Sequence, residues 1–199
     1  MSSEQAEHAG PERADGAAQP DGEQSPGGQG EQDEPLRIDV VDDADAGELL
    51  TVRRAAFVTE AQRYGDPHLP ALTQTLEELR ADLARADVVT IGGWRGHRMV
   101  GSIRVELEGG RATLGRLAVV PDLQGLGIGT QLLLAVLQYL PEQTQEVWVF
   151  TGQDSRQNLA MYARHGFEHQ YDQNAGDLTY AYLRKILGET DLSEAIPGA

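Results

Sequence analysis

The stretch from Leu114 to Leu140, LGRLAVVPDLQGLGIGTQLLLAVLQYL, permits few folds. Leu117, Ala118, Val119 and Val120 form an apolar run suited to a buried strand, and Pro121 and Asp122 break it. Gln124 to Thr130 follows as a turn with Gly125, Gly127 and Gly129 at alternate positions. Leu132, Leu133, Ala135, Val136, Leu137 and Leu140 then give a helix with a broad apolar face, stopped before Pro141. Strand, glycine turn and helix are the parts of an anion site. The first amides of a helix have no partner within it, and the aligned peptide dipoles add partial positive charge there. Glycines remove the Cβ atoms that would hold a phosphate away. One glycine would suffice for a turn without a ligand. Three of them point to a phosphate resting on Gln124, Gly125, Leu126, Gly127, Ile128, Gly129 and Thr130.

Composition narrows the chemistry. The 199 residues suffice for one domain with a substantial core plus a tail. There is no cysteine, so disulfides, thiolate metal sites and a thiol nucleophile are excluded. The five histidines show no ligand spacing, and no metal is expected. A net charge of −16 argues against a nucleic-acid partner. No apolar run approaches the ~20 residues that span a bilayer. The polar, acidic beginning does not read as a signal peptide. The expectation is a cytoplasmic protein with no membrane partner.

Residues 1–35 contain no Val, Ile, Leu, Phe, Trp or Tyr, and read as a disordered acidic tail. The folded domain is expected over 36–187, with a frayed tail over 188–199. Leu36, Ile38 and Val40 alternate with charged residues as in a half-buried strand. A helix is expected from about Ala46 to Glu60, capped by Asp42, Asp43 or Asp45, with a polar loop from Arg63 to Pro70. Thr75 and Glu78 have capping-box spacing ahead of a second helix marked by Leu76, Leu79 and Leu83. Strands are expected over Val88–Trp94, Met99–Leu107 and Ala112–Val120, joined by turns at Gly96 and at Gly109-Gly110. After the central helix come a strand at Val147–Phe150, a helix over Ser155–Arg164 closed by Gly166, and strands over Phe167–Tyr171 and Leu178–Ile186.

The nucleotide motifs fit poorly: Gly129-Thr130 lacks the lysine of a Walker loop, and the glycine spacing is wrong for a dinucleotide fold. Gln124-x-x-Gly127-x-Gly129 instead resembles the pyrophosphate loop of the GNAT superfamily of acetyl-CoA-dependent N-acetyltransferases. Ser155-x-x-Asn158-x-x-x-Tyr162-x-x-x-Gly166-Phe167 resembles the family segment ending in Tyr-x-x-x-Gly-Phe. The likeness covers about residues 36–187. It implies an α/β (α+β) fold, with a mixed, mostly antiparallel sheet of about six to seven strands and about four helices. It also implies acetyl-CoA as co-substrate. The pantetheine arm would lie along Leu117-Ala118-Val119, bonded to the backbone of Leu117 and Val119, where that strand splays from its neighbour. Asn158 or Ser155 would bond the cofactor, and Tyr162 would protonate the departing sulfur.

The general base departs from the family pattern. Many members carry a glutamate just before the apolar run, and this chain has Gly115-Arg116 there. An alkyl ammonium titrates near 10.4, so a proton must be removed before attack. Glu106 on the preceding strand, Glu60 at the end of the first helix and His68 on the following loop are the candidates, and Arg116 would suit an acidic acceptor. The expected activity is direct acetyl transfer, in a ternary complex, to a primary amine of a small molecule or peptide. The rivals are an acyl-CoA-binding regulatory module without catalysis and, less well matched, a nucleotide-binding protein. Members of the family often self-associate, so a homodimer is compatible with the resemblance.

Overall fold

A computed structural model describes residues 34–176 and 178–188. The acidic tail up to residue 33 and the end of the chain from residue 189 lie outside the described residues. The elements in order are β1 (Arg37–Val40), α1 (Ala46–Tyr64), α2 (Pro70–Thr73), α3 (Leu76–Leu83), β2 (Val88–Arg95), β3 (Arg98–Glu108), β4 (Arg111–Val119), α4 (Ile128–Tyr139), β5 (Glu146–Gly152), α5 (Arg156–Arg164), β6 (Glu168–Ala175) and β7 (Leu178–Ile186). The seven strands form one sheet in the order β1-β2-β3-β4-β5-β7-β6. Among the described residues only β4 and β5 run parallel; the other neighbours are antiparallel.

Local chemistry explains most boundaries. The capping box forms: the Glu78 amide donates to Thr75 Oγ1 (3.2 Å), and the Thr75 amide to Glu78 Oε2 (2.8 Å). At α1 the cap differs from expectation. Asp45 makes no side-chain cap, and Asp42 Oδ1 instead accepts from the amides of Ala44 (2.7 Å) and Asp45 (3.3 Å) in the turn before the helix. Helix α1 also runs on to Tyr64, because Gly65 can take the left-handed φ of 64° that ends it. Arg63 and Tyr64, expected in a loop, are therefore the last turn of α1.

The two faces of the sheet are covered by different helices. Leu132 of α4 packs against Gly93 and Gly101. Arg53 of α1 reaches Thr90, which alternation assigns to the opposite face from Gly93. Ile91, Met99, Val100, Ile103, Leu114, Leu132, Leu133 and Val136, all at most 1 % exposed, make the core around the middle strands.

The feature that positions the site is a break between β4 and β5. They pair from Arg111–Glu146 to Leu114–Val149 and then stop. On its other edge β4 stays with β3, but with a bulge: Gly115 faces Arg104 and Ala118 faces Ser102, so Arg116 and Leu117 share the space opposite Ile103. Arg116 adopts a φ of 51°, uncommon for a residue with a side chain. A bulge bends its strand and sharpens its twist. Here it coincides with the separation of β4 from β5.

Candidate active site

The glycine turn stands open. Gly125 and Gly127 have φ of 81° and 80°, and a Cβ on either would meet nothing within 4 Å. The side chains of its neighbours point elsewhere: Leu126 is 55 % exposed, and Ile128 is buried in the core. Gln124 Nε2 donates to Val119 O (3.0 Å), which ties the turn to the end of β4. Arg98 of β3 holds Asp122 through two bonds of 2.7 and 2.8 Å. The first bond of α4 runs from the Gln131 amide to Gly127 O (3.1 Å), so the amides of Ile128, Gly129 and Thr130 precede the helix ladder.

From this turn a cleft of about 580 Å³ runs along the edge of β4 that β5 leaves unpaired. One wall is Leu117 and Val119 of β4 with Gly125, Gly127, Gly129 and Thr130. The opposite wall is Asn158 and Met161 of α5, and the last turns of α1 supply Phe57, Glu60, Arg63 and Tyr64. Gln124 and Ile128 also line it. Ala118 does not; it is 1 % exposed and alternates to the far side from Leu117 and Val119. Asn158 is oriented by its neighbour on β5, its Nδ2 donating to Thr151 Oγ1 at 3.3 Å.

Glu60 is the electrostatic centre of the α1 end. Burial pushes its carboxyl above the ordinary range, and Arg63 only partly offsets this. Three phenols feel its charge. The Tyr162 hydroxyl is raised well above its usual value, first by burial and then by Glu60. Tyr64 and Tyr180 are raised in the same way, with burial again the larger cause. Tyr162 is 3 % exposed, lies behind the cleft wall rather than on it, and packs edge-on against Phe167 at 5.7 Å. The Tyr64 hydroxyl is buried against Gly152, beside the Asp154 backbone, and any Cβ at Gly152 would collide with it.

Two base candidates stand away from the cleft. Glu106 Oε2 accepts from Arg104 Nη1 (2.9 Å) and Oε1 from Arg85, and these guanidinium groups hold its carboxyl below the usual range. A carboxylate already bonded to two cations and lowered in pKa is a weaker proton acceptor than the raised carboxyl of Glu60. His68 is exposed outside the cleft, its amide donating to Asp66 Oδ1 (2.8 Å). Arg116 turns to Gln74 Oε1. Sequence reasoning passed over Phe57 and Met161, although each lies one turn from a residue it did single out, Glu60 and Asn158. Among the described residues no group of three or more His, Asp or Glu could hold a metal. No helix among them is long and apolar enough to cross a membrane.

The model of the acetyltransferase (GNAT) family matches residues 54–167, from the middle of α1 to the end of the α5 segment. The chain belongs to this family. The GNAT fold accounts for the seven-stranded sheet and five helices among the described residues. Solved structures share that fold. The PaiA N-acetyltransferase of Thermoplasma acidophilum, in complex with coenzyme A, is 18 % identical with a TM-score of 0.65, covering 77 % of this chain and 99 % of its own. The ribosomal-protein-S18-alanine N-acetyltransferase of Escherichia coli is 16 % identical with a TM-score of 0.64, covering 78 % and 97 %. In sequence, the UPF0157 protein YqkA of Bacillus subtilis is 28 % identical over 124 residues. That match takes in 62 % of this GNAT chain and only 34 % of YqkA, so the chain spans about a third of that relative's length.

Proposed function

We propose that this GNAT protein transfers an acetyl group from acetyl-CoA directly to a primary amine of a small molecule or peptide. The observation that carries the reading is the continuous cleft from the open glycine turn, past the unpaired edge of β4, to Glu60. The amides from Gln124 to Thr130 hold the diphosphate, since the space a Cβ would take at Gly125 and Gly127 is free. Leu117 and the amide of Val119 offer backbone groups that β5 leaves unpaired, the Val119 carbonyl being held by Gln124, and an amide-bearing arm can add there as a strand would. Asn158, held by Thr151, bonds the arm from the opposite wall.

Acetyl-CoA supplies the activated acyl group. Glu60, with its raised pKa, accepts the proton of the incoming ammonium and leaves the neutral amine to attack. Tyr162 keeps its proton through neutral pH because burial and Glu60 both disfavour the phenolate. From behind the cleft wall it donates that proton to the departing sulfur through a bridging water. With no cysteine in the chain, no thiol carries the acyl group between the two substrates. The cytoplasm is the expected site of action.

Isothermal titration with acetyl-CoA, followed by an amine screen with thiol detection, tests the reading. Binding with release of free CoA in the presence of an amine supports it. Binding with no turnover on any amine would favour a regulatory module, and no binding at millimolar acetyl-CoA would end the proposal.

A further inference from the structure

Beneath α1, away from the cleft, the fold buries a positive charge with no direct ion pair among the described residues. Arg53 is 0 % exposed. Its Nη2 donates to Thr90 Oγ1 at 3.4 Å, the long end of a hydrogen bond. Its Nε and Nη1 are buried with no acceptor among the described residues. A second guanidinium, half-buried Arg116, bonds only the neutral amide of Gln74. Neither arginine makes an ion pair among the described residues.

The nearby acids are engaged elsewhere. Asp82 accepts two bonds from Arg104, at 2.7 and 2.8 Å. Glu106 is shared by Arg104 and Arg85. Arg104 and Arg116 both oppose the charge on Arg53, Asp82 only partly offsets them, and burial with this repulsion pushes the Arg53 pKa down to about 9. The same layer holds another orphan. Ser102 Oγ is buried without a partner, and Ser102 shares the α1 face of the sheet with Arg104 and, across the ladder, Thr90.

A buried unpaired charge is among the costliest features a fold can carry. A water molecule could accept from these donors but would leave the repulsion of Arg53 by Arg116 and Arg104 in place. A carboxylate on a larger molecule has no route to a side chain with no exposed surface. We propose that a small monoanion of halide size, chloride under ordinary conditions, sits between α1 and the sheet, held by Nε and Nη1 of Arg53 and by the Ser102 hydroxyl. The anion offsets Arg53 and screens it from Arg116, and so steadies the layer on which the β4 bulge rests. The site is separate from the acyl-transfer cleft and does not depend on it.

Thermal unfolding of the full chain in sodium chloride against sodium gluconate, at fixed ionic strength, reads the linkage. A ligand that binds only the native state raises Tm with its concentration, and a rise of about 3 °C by 0.2 M chloride is expected, with bromide acting alike. Arg53→Met should abolish the difference between the salts. If that variant fails to fold, Ser102→Ala should shift the half-saturating chloride concentration upward by several-fold. A crystal grown in bromide should show an anomalous peak between Arg53 and Ser102. Equal Tm in the two salts, an undiminished chloride response in Arg53→Met, an unmoved half-saturation in Ser102→Ala, or a bromide crystal without that peak would each overturn the proposal.

Discussion

Glu60 is half-buried and Tyr162 buried, and the titration of both is raised, which suits a base in one case and an acid in the other. Burial raises the Glu60 carboxyl above its ordinary 4.5. Between the unfolded and folded values the native state therefore holds the extra proton, and stability falls as pH rises through that window. At neutral pH the ionised carboxylate is a cost to the fold. Glu60→Gln is expected to raise Tm at pH 7 while lowering kcat by about 10²–10⁴-fold, the usual worth of a positioned base. Melting curves and initial rates on one preparation check both. The pH profile separates this from a packing effect. Wild-type kcat/KM should show a rising limb set by Glu60, above the ordinary carboxylate range, and the glutamine variant should lose it. A limb that persists would assign the base elsewhere. Tyr162→Phe removes only a hydroxyl from a side chain 3 % exposed, so the packing against Phe167 stays. It should lower kcat by about 10²-fold or more with little change in the KM for acetyl-CoA. Unchanged kcat would remove the acid role.

The strand, glycine turn and helix of β4 and α4 concentrate the binding proposal in a few dihedral angles. Gly127 sits at φ 80°, where a residue with a Cβ is strained by about 1–2 kcal/mol. For a domain of this size that is a fall in Tm of about 2–8 °C. Its Cβ would also project into the open space before the turn. Gly127→Ala should therefore weaken acetyl-CoA binding in titration calorimetry by more than its stability loss explains. Gly152→Ala acts from the other end of the cleft, since its methyl would displace the Tyr64 hydroxyl. The expected signature is altered acceptor kinetics with acetyl-CoA affinity kept. These elements were legible in sequence because their signals are local: alternate glycines, an apolar stripe, a Thr75–Glu78 box. The β4 bulge was not. Its positive φ falls on Arg116 rather than on the adjacent Gly115, and the register that creates it belongs to the partner strand. The surroundings of Glu106 were only half legible: Arg104 is two residues away on the same strand, but Arg85 is 21 residues away in sequence.

At the scale of the whole molecule, charge and binding site pull in opposite directions. The chain carries −16, and the segment up to residue 33 holds many acids against the single Arg13. The cleft that we assign to a polyanionic co-substrate has Arg63, Arg156 and Arg164 along its lining. Near contact these cations favour CoA, but at larger separation the net negative field repels it. Salt screens the long-range part first, since the Debye length falls from about 30 Å at 0.01 M to about 8 Å at 0.15 M. Acetyl-CoA should thus associate faster as ionic strength rises, by about twofold to tenfold over that range, the reverse of the usual behaviour for an anion meeting arginines. A chain limited to residues 34–188 contains every element that shapes the cleft, and we propose that it is the functional domain. It should keep the Tm of the full chain to within about 2 °C, bind acetyl-CoA with similar affinity, and show a weaker rise with salt because much of the repelling charge is gone. Stopped-flow association rates at two salt concentrations, on both chains, decide the matter. An association rate that falls with added salt in the full chain would mean that the local arginines, and not the net charge, govern the encounter.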